Sequence, residues 1–143
     1  MNLTAVNRCR RAIRTEKSLN REILDSLNTS DELGRFIGHD VEVIMKNREA
    51  IEQQQKSKTP NEKIVARAQE NIATCTNTIK ARLVNLSAKP DEIDAIIDSL
   101  NKCDYQTVTL EVLKMMARKN PGLHKKKYER ALLALKTANQ NQR

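Results

Sequence analysis

The side chains with the clearest chemical potential are cations, and they are clustered. Residues 114–143 hold Lys114, Arg118, Lys119, Lys125, Lys126, Lys127, Arg130, Lys136 and Arg143 against one acid, Glu129. That segment sums to +8, the whole formal net charge of the 143-residue chain. A second set, Arg10, Arg14, Lys17 and Arg21, recurs at helical spacing near the start and predicts one basic stripe. Residues 22–113 between them sum to −5. Lysine and arginine heads attract phosphate oxygens, and each neutralised phosphate releases counterions. Such surfaces therefore bind nucleic-acid backbones with little regard to sequence. The same charges also suit a solvated helix face or a helix C-terminus. The expected phosphate-contacting set is Arg10, Arg14, Lys17, Arg21, Lys114, Arg118, Lys119, Lys125, Lys126, Lys127 and Arg130.

The stretch "GLHKKKYER", Gly122 to Arg130, is the centre of the basic segment. A helical rotation puts Lys126 and Arg130 opposite Tyr128, Leu132 and Leu135, with Lys127 flanking them. The helix before it, the Pro-Gly turn and the helix that follows have the outline of a helix-turn-helix. Base readout would need Arg, Asn or Gln, whereas this helix offers mostly lysine, so phosphate contact without strong specificity is expected. Only Phe36, Tyr105 and Tyr128 are aromatic, which disfavours stacking on single strands.

Other chemistries lack their residues. The sequence contains no P-loop, dinucleotide glycine motif, H-E-x-x-H or nucleophile elbow, and His39 and His124 are solitary. Asp91, Glu92, Asp94 and Asp98 lack an EF-hand's spacing and glycine, and read as a solvated face able to meet a basic segment in cis or in an oligomer. A non-enzymatic protein without cofactor or metal is the expectation. Cys9, Cys75 and Cys103 are odd in number and show no C-x-x-C spacing. They point to a reducing, intracellular setting, cytoplasmic or nuclear. No apolar run approaches a membrane span, and the N-terminal arginines are not followed by a signal-peptide h-region.

The elements that must carry these residues are helices. Three prolines and three glycines are few, and a core short of aromatics must be built from Ile, Leu, Val, Met and Ala. The first helix, 4–27, carries Val6, Cys9, Ile13, Ile23, Leu24 and Leu27. "NTSDEL" starts the second, with Thr29 and Glu32 at capping-box spacing. Gly34 and Gly38 are read there as a loose helix start rather than as the close approach of another backbone. "SKTPNEK" starts the third, with Thr59 as cap and Pro60 at the first helical position. Its apolar stripe runs Val65, Ala68, Ile72, Cys75, Ile79, Leu83 and Leu86. Pro90 opens the fourth helix, the fifth begins near Asp104, and "KNPGL" separates it from the sixth.

The predicted fold is all-α. Residues 1–88 form an elongated antiparallel bundle of three long helices, and residues 89–143 a smaller, basic three-helix unit. The functional expectation is a nucleic-acid-binding or nucleoprotein-assembly protein, acting on DNA or RNA with weak sequence specificity. Its rival is a helical protein-interaction module (adaptor, chaperone or coiled-coil oligomer), with a homo-oligomer built through the long helices. Docking on an anionic membrane is weaker, because the basic helices lack large apolar anchors such as Trp.

Overall fold

A computed structural model describes residues 21–141, with side chains placed through Thr137. Every regular element among the described residues is a helix. They are α1 (21–28), α2 (Glu32–Lys56), α3 (Glu62–Asn85), α4 (Pro90–Asn101), α5 (Tyr105–Lys119) and α6 (Pro121–Asn141). None is long and apolar enough to cross a membrane.

The apolar periodicity places the core. Ile23, Leu24 and Leu27 of α1, Ile37, Val41 and Ile44 of α2, and Ile79 and Leu83 of α3 are buried. Ile96 and Leu100 of α4, and Val108, Val112, Met115 and Met116 of α5, complete the centre. One apolar cluster runs through both the hairpin and the helices after Lys89. α5 is its axis: it is buried on a broad face and packs against α2, α4 and α6.

α2 and α3 form the expected antiparallel hairpin. Its base is the best packed part: α2 has no fully buried residue beyond Ile44, and of α3 only Ala68 is buried on the tip side of Ile79. Toward the tip, Ile51, Val65 and Ile72 are half-buried and Ile64 is exposed. An Asn47–Asn71 side-chain hydrogen bond of 3.2 Å fixes the register midway along.

The helix starts differ from expectation at two places. Asp31, not Thr29, caps α2, accepting from the Gly34 amide at 2.8 Å. Thr29 still closes α1: its amide and its hydroxyl both donate to the Asp25 carbonyl at 2.9 Å, so the cap of α2 comes two residues later. Asn61, not Thr59, caps α3, accepting from the Lys63 amide at 3.0 Å, and Pro60 stays outside the helix. Asn61 is held there by its own amide, which donates to the Gln54 side chain at 2.8 Å.

Gly34 and Gly38 are not a loose start. A Cβ on Gly38 would stand 2.1 Å from Asn28 Oδ1. One on Gly34 would stand 2.0 Å from Ser30 Oγ and 3.0 Å from the Leu27 carbonyl oxygen. The end of α1 therefore crosses α2 at backbone distance, and the two glycines make room for it.

Candidate nucleic-acid interface

α6 begins where α5 cannot continue. Asn120 ends α5, its amide bonding the Met116 carbonyl at 2.8 Å, and Pro121 occupies the first position of α6. The joint is Asn120 alone and Gly122 lies inside α6, so the connection is shorter than a helix-turn-helix turn of three or four residues. The inward face of α6 is set by His124, Ala131 and Leu135, all buried, with Tyr128 and Leu132 half-buried beside them. Each residue advances the helix by about 100°, which sends Lys126, Arg130 and Leu133 to the opposite side. All three are exposed, as are Lys125 and Lys136 on the flank.

The expected phosphate contacts divide into two sets. Lys125, Lys126 and Arg130 share the solvent side of α6, and Lys114 is exposed on α5. These four, together with Lys136, have no hydrogen-bond or ion-pair partner among the described residues. The second set is turned to structural work. Arg118 grips Glu92 of α4 through two nitrogens at 3.0 and 3.1 Å. That guanidinium, helped by the Lys89 amide, holds the Glu92 carboxyl below its ordinary range. Lys119 donates to the Asn85 carbonyl at the end of α3, at 2.5 Å. Both cations stand in the last turn of α5, where they also meet the negative end of the helix dipole. Lys127 donates to the Thr29 carbonyl and, at 3.2 Å, to the Thr29 hydroxyl. Arg21 is exposed beside a groove that also receives Asp25, Glu42 and Glu49. Arg10, Arg14 and Lys17 lie outside the described residues.

His124 is the residue that sequence reasoning missed. It is 3% exposed, and its Nε2 lies 3.2 Å from Asp31 Oδ2. Asp31 thus caps α2 and holds α6 at once. The signal for His124 was its spacing: it stands four and seven residues before Tyr128 and Ala131, on the stripe that packs. Arg48 is a second unforeseen tether. It donates to the Leu100 carbonyl, to Cys103 Sγ at 3.3 Å and to the Tyr105 hydroxyl at 3.0 Å, closing the end of α4. Burial pushes the Tyr105 hydroxyl up to about 12.

The remaining titratable groups are dispersed. No group of three His, Cys, Asp or Glu side chains among the described residues could hold a metal ion. His39 is exposed, whereas Asp40 turns inward to Arg82 Nε at 3.5 Å, and Arg82 lies over the Phe36 ring. What the geometry offers chemically is a row of free cations on one rigid helix. Compared with known proteins, the chain matches no family model, no curated protein and no solved structure.

Proposed function

We propose that this chain is a non-enzymatic nucleic-acid-binding protein whose α6 contacts the phosphate backbone. One observation carries the reading: Lys125, Lys126, Arg130 and Lys136 are exposed on α6 and have no ion-pair or hydrogen-bond partner among the described residues. Cations at the start of a helix gain nothing from its dipole, so helix stability does not account for Lys125 and Lys126. Lysine-rich contacts without aromatic platforms favour duplex or structured nucleic acid, bound with weak sequence preference. Arg118, Lys119 and Lys127, expected in the same set, each hold a partner within the fold, so the proposal rests on the other cations.

We propose further that the first helix, from about residue 4, lies along the α2–α3 hairpin as the third helix of its bundle. The half-buried Ile51, Val65 and Ile72 support this, because two helices alone leave one side of their seam open. Arg10, Arg14 and Lys17 would then add a second basic stripe. The same open seam is the observation that favours the rival reading, a protein-interaction hairpin.

The test is fluorescence polarisation on labelled duplex DNA and RNA across a salt series. The expected outcome is binding whose log affinity falls steeply with log salt. A Lys125→Ala/Lys126→Ala/Arg130→Ala variant should flatten the slope by about 2–3, roughly one per lost phosphate contact. Absence of binding at low salt would rule the proposal out.

A further inference from the structure

The outward face of α6 is not purely cationic. Leu123 and Leu133 are 63% and 64% exposed, and they bracket Lys126 and Arg130. The four positions are spaced three, four and three apart, so they form one straight seam along the helix. Phosphate contact gives the two leucines nothing to do. A seam of leucine, lysine, arginine and leucine fits another helix, with carboxylates in the middle of its face and apolar groups beside them.

This chain exposes such a face. On α4, Asp91, Asp94 and Asp98 are exposed at the same three-and-four spacing, with exposed Ala95 among them and half-buried Ile93 and Ile97 alongside. Asp91 and Asp94 have no ion-pair partner among the described residues. Asp98 pairs only with Lys102, one turn on, at 2.9 Å and with both side chains largely exposed. α4 and α6 each pack on α5 and turn these faces away from it. Among the described residues the two stripes do not neutralise each other: neither Lys126 nor Arg130 has an acid within ion-pair distance.

We infer that the α6 seam docks the α4 face of a second copy of this chain. The aspartates meet Lys126 and Arg130, while Leu123 and Leu133 cover Ala95 and the edges of Ile93 and Ile97. Each copy offers one α4 face and one α6 seam. Both pairs formed at once give a two-fold dimer, and pairs formed in turn give a ring or an open series. The charge pairs stand between the two leucines of a narrow, solvent-accessible contact, which makes it weak and sensitive to salt. The inference does not depend on the nucleic-acid reading. The two meet at Lys126 and Arg130, which a neighbouring copy would cover and a phosphate backbone would compete for.

The experiment is sedimentation equilibrium of nuclease-treated protein over a range of concentrations, at about 50 mM and about 1 M salt. Wild type should climb from the 16.3 kDa monomer with concentration at low salt and return to it at high salt. Asp91→Lys/Asp94→Lys and Lys126→Glu/Arg130→Glu should each be monomeric with unchanged helical circular dichroism. An equimolar mixture of the two should associate again, because each reversed face then meets a complementary one. A wild type that stays monomeric overturns the inference. So does association that survives both reversals, or a mixture that fails to recover. An Asp91→Asn/Asp94→Asn variant adds no cation and keeps α6 intact, so its nucleic-acid binding reports on the proposed function separately. If it binds while wild type never self-associates, only the present inference fails. If wild type self-associates without binding nucleic acid, only the proposed function fails.

Discussion

Two sides of α6 use the same residue types for different ends. On the inward side, Lys127 reaches the Thr29 carbonyl and His124 meets Asp31, so the start of α6 is fastened to the α1–α2 turn. On the outward side, Lys126 and Arg130 meet nothing within the described residues. One step along the chain separates Lys126 from Lys127, and one step is about 100° of helix. A run of lysines on a helix is therefore not one feature. Rotation gives each member a different neighbour, in the fold or in the solvent.

The largest expected break in this comparison is His124→Ala. It removes a buried side chain and leaves Asp31 without its partner on α6. Urea unfolding should show a loss of about 3 kcal/mol. Nucleic-acid binding by the fraction that remains folded should keep its salt slope, because no outward cation has changed.

Lys127→Met comes next. The long apolar stem is kept and the donor to Thr29 is lost, which should cost about 1 kcal/mol in the same measurement. If Lys127 instead served a phosphate, stability would hold and the salt slope would drop by about one.

These tethers mark the limit of what could be read from sequence. The apolar stripes disclosed six helices, the hairpin and most of the core, because a 3.6-residue period is a local property. Pro90 and Pro121 marked helix starts for the same reason. The targets of Arg118, Lys119 and Lys127 are tertiary, standing 26, 34 and 98 residues away. No local pattern distinguishes such a lysine from a free one. Gly34 and Gly38 were open to the wrong reading for a related reason: their value comes from α1 crossing them, and a helix propensity scale knows nothing of the crossing. The Thr29 cap failed because Thr29 still closes α1, its amide bonded to the Asp25 carbonyl, and α2 starts only after Asp31.

A smaller effect should appear as a pH slope at the other inward pair, Arg82 and Asp40. Burial raises the Asp40 carboxyl above its ordinary 3.8, although Arg82 beside it pulls the other way. Between 3.8 and that raised value the folded chain holds the proton more often than the unfolded chain does. Asp40 therefore favours folding on the acid side of this window, and the contribution is lost as pH rises through the folded value. Asp40→Asn removes the titration. The unfolding free energy of wild type minus that of the variant should fall as pH rises through the window, and a rising difference would mean that Arg82 outweighs burial.

Smallest of all in stability is Lys126→Met, the matched control for Lys127→Met. Lys126 is exposed and unpartnered, so the change should stay within about 0.5 kcal/mol. Its effect belongs to the ligand: the salt slope of nucleic-acid binding should decrease by about one. The two lysines thus exchange roles across the two assays, each silent where the other is felt. A loss of stability at Lys126 as large as that at Lys127 would mean that the outward face is also part of the fold. The division of α6 into a structural side and a free side would then be wrong, and with it the cationic surface on which both the phosphate contact and the docking of a second copy depend.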